Sequence, residues 1–371
     1  MKSVISKSVW AGLLLLSGLG ILSLAMGGCA TLQRIFGSTS LPSDLTSLDP
    51  IDTHVHAFRS DPGFFAMIER SHLHVLDICV VDSYNIFGLE AIERQRADAF
   101  VSGSDGHATL CTTFDPFSFE DPGYAQRVIA QLNEDFANGA VAVKIWKNVG
   151  MQIRKRDGTY LMPDDPIFAP VYQDIAAHNK TLIAHLAEPS SCWQPPNPSS
   201  PDYDYYKSNP QWYMYLHPDH PSKEMILAAR DHLLEENPQL RVVGAHLGSM
   251  ETSVDEIASH FDRYPNFAVD MAARMEYLML APRDKVRDFL IKYQDRVLYA
   301  TDLEFLADEA PADAEHEWTE TYRRDWKFLA TDDAIRLQGR EIRGLALPRP
   351  VLKKIYHDNA VRWIPGIAGV K

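Results

Sequence analysis

Four segments of this 371-residue chain close an apolar run with a residue that can bind a cation or carry a proton. They are Asp52-Thr53-His54-Val55-His56, Leu182-Ile183-Ala184-His185, Val242-Val243-Gly244-Ala245-His246 and Tyr299-Ala300-Thr301-Asp302. On an extended strand Asp52, His54 and His56 share a face, with the two imidazoles about 6.6 Å apart at about 3.3 Å per residue. Both can then meet one ion. In a chain with 14 histidines such a triplet alone reads equally well as a hydrogen-bonded core pair. Its neighbours change that reading: burying further histidines and a carboxylate without partners costs several kcal/mol in sum, and a divalent cation satisfies them together.

Softer candidates surround these four. Lys144, in Val141-Ala142-Val143-Lys144-Ile145-Trp146-Lys147, shares a strand face with Trp146 and points into the barrel mouth if Trp146 does; Lys147 falls on the opposite face and reads as structural. Arg59 and Arg274 are candidates to grip a substrate carboxylate, although single arginines more often serve as salt-bridge partners. Glu188 follows His185 closely enough to reach the same mouth. Trp193, Trp212 and Tyr213 offer rings for stacking on a substrate or for packing a loop. No G-x-S-x-G nucleophile elbow occurs, which disfavours covalent serine chemistry.

The elements that must position these groups are legible as short apolar runs. They fall at Ile51 to His56, Val75 to Val81, Thr109 to Phe114, Val141 to Trp146, Thr181 to His185, Arg241 to His246, Phe267 to Met271 and Val297 to Thr301. Helical periods lie between many of them: Tyr124, Val128, Leu132 and Phe136, ending near Gly139, and Val286, Phe289, Leu290 and Tyr293 after Pro282. Ser253 and Glu256 form a capping box ahead of Ile257 and Phe261. Eight apolar strands alternating with helices predict an α/β fold, a single TIM-like (β/α)8 barrel, whose catalytic groups converge where the strands end. An open doubly wound sheet is the rival, and the missing Gly-rich phosphate fingerprint argues against it.

Two insertions interrupt the alternation. Residues 189–221, after the fifth strand, hold eight prolines and seven aromatics and read as a lid or pocket wall, or as a flap that only covers a strand end. Residues 303–320 hold seven acids and no Lys or Arg, and read as a solvated acidic helix.

Taken in order and spacing, Ile51-Asp52-Thr53-His54-Val55-His56, Ala184-His185, Gly244-Ala245-His246-Leu247-Gly248, Thr301-Asp302 and Leu352-Lys353-Lys354-Ile355-Tyr356-His357-Asp358-Asn359-Ala360 resemble the amidohydrolase superfamily, in particular its amidohydrolase-related branch, over about residues 50–365. The resemblance implies that His54, His56, His185 and Asp302 ligate a divalent metal, usually zinc, as one or two ions. It makes His246 a second-metal ligand or a catalytic histidine, and Lys144 either a carboxylated bridge between two metals or a cation that holds a substrate carboxylate. The branch contains hydrolases, lactonases and non-oxidative decarboxylases. The expected reaction is hydrolysis of an amide, lactone or ester in a small molecule by a metal-activated water, with Asp302 passing the proton and His246 polarising the carbonyl. Decarboxylation of a carboxylated substrate is the second expectation. A non-catalytic surface protein on the same barrel is the third.

The ends and the charge set the setting. Lys2 and Lys7, an apolar stretch from Trp10 to Met26, and Gly27-Gly28-Cys29 resemble a lipoprotein signal over residues 1–28, with an uncleaved anchor or ordinary cleavage as the other readings. Residues 29–48 read as a tether and 49–371 as the enzyme domain. The expectation is an extracytoplasmic, periplasm-facing protein anchored by lipid on Cys29, with a small-molecule substrate and homo-oligomers as partners. A formal charge of −14 disfavours nucleic acid. Besides Cys29 there are only Cys79, Cys111 and Cys192, too few for a disulfide framework, so stability must come from the core.

Overall fold

A computed structural model describes residues 40–81 and 89–368, and the proposed signal segment lies outside them. Its strands are β1 (Ile51–Ala57), β2 (His74–Ile78), β3 (Ala108–Thr113), β4 (Ala142–Ile145), β5 (Thr181–Ala184), β6 (Arg241–Gly244), β7 (Phe267–Asp270), β8 (Val297–Leu298) and β9 (Leu303–Phe305). They form one sheet in the order β8-β7-β6-β5-β4-β3-β2-β1-β9, parallel throughout. The two edge strands belong to one stretch of chain. Residues 297–305 pair with β7 first, then with β1, and between them Tyr299 O accepts from Thr53 N at 3.1 Å while Asp302 N donates to His54 O at 2.8 Å. The predicted eighth strand is therefore split in two and closes the TIM-like barrel. Leu303 to Phe305, expected within an acidic insertion, is its second half, and the helix behind it begins only at Pro311.

Helices over Pro62–Arg70, Leu89–Gly103, Tyr124–Ala137, Ala169–Ala177, Lys223–Glu236, Val254–Arg263, Arg283–Lys292 and Pro311–Ala330 cover the sheet. Two begin and end where the local chemistry requires. Ser253 Oγ caps the helix Val254–Arg263 by accepting from Glu256 N, and the Tyr124–Ala137 helix gives way at Gly139, whose φ of +105° a side chain would resist. Strand interiors are apolar on both faces because helices lie outside and side-chain layers inside.

One end of the barrel is plugged. Trp363, Ile364 and Ile367 pack against Ile51, Leu76, Val141, Ile183, Val243 and Leu298 at the strands' beginnings. Asn359 Nδ2 ties the same segment to Val297 O at 2.7 Å. Among the described residues, that packing leaves the end where the strands stop to admit a substrate. Packing also starts earlier than the expected tether boundary at residue 48: Leu41, Leu45 and Leu48 are buried in the main core, since a leucine-spaced turn (Ser43–Thr46) can shed its apolar face there.

Candidate metal centre

Three donor atoms converge at the open end. His54 Nε2 and His56 Nε2, from β1, each lie 3.3 Å from Asp302 Oδ1, at the split in the eighth strand. The ligand atoms of these three residues lie within 4.8 Å of one another. A separation near 3.3 Å is the edge of a tetrahedron built on bonds of about 2.0 Å, the length of a zinc–imidazole or zinc–carboxylate bond.

Hydrogen bonds fix which nitrogen of each ring is free. His56 Nδ1 lies 2.7 Å from Ile78 O, and a carbonyl can only accept, so Nδ1 carries a proton and the neutral ring presents its lone pair at Nε2. Burial opposes a charge on that ring, but Asp302 beside Nε2 raises its pKa, so an ion there competes with a proton. His54 Nδ1 lies 3.0 Å from the buried Asp270 Oδ2, which sets the same tautomer. Both Nε2 lone pairs point into the cluster, the arrangement a metal-binding histidine pair needs. Burial and the nearby Lys144 cation push the His54 ring down in pKa, keeping it neutral. Asp302 is half-buried and desolvation opposes its charge, yet His246, His54 and His56 hold its pKa well below the usual carboxylate range. It keeps a left-handed backbone (φ +68°), strain of the kind stored at functional sites. The donor set thus fits a divalent ion.

Lys144 joins this cluster. Its Nζ is buried and lies 3.0 Å from His54 Nε2, donating into the lone pair that an ion would use, and burial lowers its pKa to about 8. A lone pair already taken by an ammonium hydrogen is one an incoming cation must compete for.

His185 and His246 form a second set beside the first. The His54 and His246 ring centroids are 5.0 Å apart, those of His185 and His246 4.1 Å. His246 Nδ1 donates to Ala272 O at 2.9 Å, so Nε2 accepts from His185 Nδ1 at 3.1 Å. That leaves His185 Nε2 buried without a hydrogen-bond partner, 3.9 Å from Glu188 Oε1. An orphaned acceptor there is what an additional ligand would look like, but His185 contacts His246 and not the three-donor cluster. Burial, then His246, pushes the His185 pKa well down, so the ring stays neutral. His246 begins four consecutive left-handed residues, His246, Leu247, Gly248 and Ser249. Asp270 Oδ1 accepting from His246 N, and Ser249 Oγ donating to Leu186 O, hold that turn.

Several expected positions are corrected. Asp52 does not share the His54–His56 face: the register of β1 shifts between Asp52 and Val55, and Asp52 turns to accept from Thr301 Oγ1 and from Tyr322 of the Pro311–Ala330 helix. Lys147 does not lie on an outer face. β4 stops at Ile145, so strand alternation no longer governs it, and it is buried against Glu188, Tyr205 and the Trp212 ring. Arg59 donates to Glu309 O and pairs with Asp61, with its guanidinium over Phe305. None of those contacts is to the cluster. Trp193 donates to Pro221 O and braces the 189–221 segment.

The remaining candidates lie around His185 and Glu188. Trp146 stands edge-on to His185 at 6.4 Å and to Trp212 at 5.1 Å, forming one wall of the mouth. Arg274 is buried between Glu188 and Asp202, at 3.9 and 4.0 Å, which occupies its charge. Segment 189–221 is thereby tied to the barrel by Asp202, Tyr205 and Tyr206, the last donating to Glu188. Cys79, Cys111 and Cys192 are buried free thiols whose pKa values burial raises, as inert cysteines should be.

Sequence reasoning missed Asp270. It closes the apolar run Phe267-Ala268-Val269 on β7, the same signature that exposed His185 and Asp302.

The amidohydrolase family model matches residues 51–365, and the chain belongs to that family. No curated protein matches it. Among solved structures it resembles an amidohydrolase II (16% identity, TM-score 0.50, 85% of this chain and 99% of that one covered). It also resembles a Staphylococcus aureus protein described as a candidate amidohydrolase (11%, TM-score 0.51, 85% and 99%). A 5-carboxyvanillate decarboxylase of Sphingomonas paucimobilis aligns at 14% identity with a TM-score of 0.45, over 85% and 99% of the two chains. For the first two, at these identities, the likeness is one of fold.

Proposed function

We propose that this amidohydrolase-type enzyme binds a divalent ion through His54, His56 and Asp302 and hydrolyses an amide, lactone or ester bond in a small molecule. The convergence of three defined donor atoms at the barrel's open end supports this reading. When bound, the ion would supply Lewis-acid polarisation of a carbonyl and a more acidic water.

The chain's own residues would do the rest. Asp302, ionised at neutral pH and the most exposed of the three ligands, can take a proton from water at the mouth and return it to a leaving group. In the tautomer set by Ala272, His246 Nε2 is an acceptor. Donation to a substrate oxygen from that atom would require the cationic ring, which burial opposes by holding the pKa well down, so His246 acts here as a proton acceptor and not as a neutral polarising donor. Trp146 and Trp212 exclude water from one side. His185 supplies the orphaned Nε2 as a further ligand once its contact with His246 loosens.

One observation favours a second reading. The Lys144 ammonium is hydrogen-bonded to an imidazole and, among the described residues, to no carboxylate, so it can meet a substrate carboxylate beside the ion, as decarboxylation would use it. Arg274, held by Glu188 and Asp202, suits that role poorly.

The experiment is metal analysis of the purified domain, followed by chelation, dialysis and a screen of small amides, lactones, esters and aromatic carboxylates. Activity that disappears with the ion and returns with it, yielding an acid with an amine or alcohol, is the expected result. Carbon dioxide release selects the second reading, and full activity after chelation removes both. Lipid attachment at Cys29, and with it the extracytoplasmic setting, is part of the proposal and is tested by membrane partitioning of full-length and Cys29→Ser chains.

A further inference from the structure

Asp270 divides its two oxygens between two tasks. Oδ2 lies 3.0 Å from His54 Nδ1, while Oδ1 accepts from His246 N at 2.8 Å and Ala272 N at 3.0 Å. The carboxylate is fully buried at the end of β7, and the Ala272 carbonyl two residues on orients the His246 ring. One side chain therefore sets the protonated nitrogen of a proposed metal ligand, and the turn that carries it sets the second histidine.

We propose that Asp270 is a positioning residue that fixes the His54 tautomer, and thereby the Nε2 lone pair offered to the ion, independently of its backbone role at His246. The inference rests on the metal reading above for its consequence, and on hydrogen-bond geometry alone for its cause.

The physical argument makes Asp270→Asn an unusually selective change. The asparagine carbonyl must stay on the Oδ1 side, because only an acceptor satisfies the two backbone N–H groups there. Its NH2 then replaces Oδ2 and confronts His54 Nδ1 with a donor. His54 relieves the conflict by moving its proton to Nε2 and accepting at Nδ1, while Lys144, which donates into Nε2 in the wild type, turns away or gives up its proton. The turn keeps its clamps, the ring keeps a hydrogen bond, and the lone pair leaves the site. His246, oriented by Ala272 O, keeps its tautomer and serves as an internal control.

The test is nitrogen NMR of histidine-labelled, metal-free protein, with zinc and manganese affinities measured by chelator competition. Wild type should show His54 protonated at Nδ1. Asp270→Asn should show it protonated at Nε2, with the His246 pattern and the circular dichroism spectrum unchanged and metal affinity lowered about 10- to 100-fold. A His54 tautomer that does not change in the variant, or an affinity within twofold of wild type, overturns the proposal. Should the variant fail to fold, Lys144→Met decides, because it removes the other donor that favours the same tautomer: His54 protonated at Nε2 there would overturn the proposal, and at Nδ1 would support it. A wild type that binds no metal defeats the reading under Proposed function while the tautomer comparison still judges Asp270.

Discussion

Lys144 Nζ donates into His54 Nε2 at 3.0 Å, so a buried side-chain cation occupies the lone pair that a divalent ion would need. Two cations cannot share that atom. At about 4 Å and an effective dielectric of 20, the repulsion between a unit charge and a divalent ion approaches about 8 kcal/mol, much of which is relieved when the lysine swings away or loses its proton.

Lys144→Met should therefore bind the first zinc ion at least about tenfold more tightly at pH 7, equivalent to about 1.4 kcal/mol. Burial lowers the lysine's pKa to about 8 from 10.5, so wild-type affinity should climb as pH passes about 8 while the variant shows no such step. Stability follows the same proton. Between pH 8 and 10.5 the unfolded chain binds more protons at this site than the folded one, so its contribution to stability rises with pH across that window. Titration of both proteins against a zinc indicator at pH 6.5, 7.5 and 8.5 reads the effect. A variant whose stoichiometry drops from two ions to one would show instead that Lys144 bridges two ions as a carbamate.

How far these roles could be read from sequence depended on whether local rules held to the last residue of each strand. His54 and His56 were legible because alternation survives through Ala57, and the barrel because every strand is an apolar run. Lys147 was misplaced because β4 ends at Ile145, two residues before it. Asp52 was misplaced because a register shift in β1 is written in its pairing with β2, not in its own residues. The split of the eighth strand depends on a left-handed Asp302, a conformation no propensity predicts for that residue, which tertiary bonds from Asp302 N to His54 O and from the neighbouring Thr301 N to Asp52 sustain. Arg59 carried the right charge and lay near the right strand, but Asp61 and Glu309, close by in space, claimed it first.

Asp52 itself gives a prediction about pH. Burial raises its pKa from 3.8 to about 7, against the lowering effect of its hydrogen bonds from Thr301, His54 and Tyr322. Between those values the folded chain holds the proton more tightly, so this group's contribution to stability declines as pH rises from 3.8 and levels off above 7. Asp52→Asn removes the charge and keeps an acceptor for the two backbone N–H groups, while the hydroxyls of Thr301 and Tyr322 can rotate to accept. The difference in melting temperature between variant and wild type should move in the variant's favour from pH 4 to pH 7 and then stay constant. Its ceiling is on the order of 4 kcal/mol. Parallel pH curves for the two proteins would contradict the assignment.

The tie between Lys147 and Glu188 predicts a strongly non-additive pair. Both side chains are buried, and removing one partner of a buried ion pair leaves an uncompensated charge at a cost of about 3–5 kcal/mol, whereas replacing both is often near neutral. Glu188→Gln should lower stability in urea unfolding by about 3 kcal/mol, because Lys147 and Arg274 both lose a counter-charge. Adding Lys147→Met should return part of that loss. Equal and additive penalties would mean that the contact with Tyr205 and the stacking on Trp212, and not the ion pair, hold Lys147 in place.

Gly244 separates the role of His246 from that of the metal ligands. Its backbone φ of −70° suits any residue, but a Cβ placed there would lie 2.9 Å from Gly248 Cα and 2.7 Å from the Phe267 ring. The first contact is with backbone and cannot be relieved by a rotamer. The left-handed turn from His246 to Ser249 must shift, carrying the His246 ring with it, while His54, His56 and Asp302 reside on other strands. Gly244→Ala should therefore cost about 1–3 kcal/mol of stability through overpacking. It should lower kcat about 10- to 100-fold, as expected when a reacting group is displaced by a fraction of an ångström to an ångström, and leave metal affinity unchanged. Steady-state kinetics on the substrate found in the screen, paired with the chelator competition assay, distinguish the two outcomes. A parallel fall in metal affinity would mean that His246 belongs to the ion's coordination set and not to proton transfer beside it.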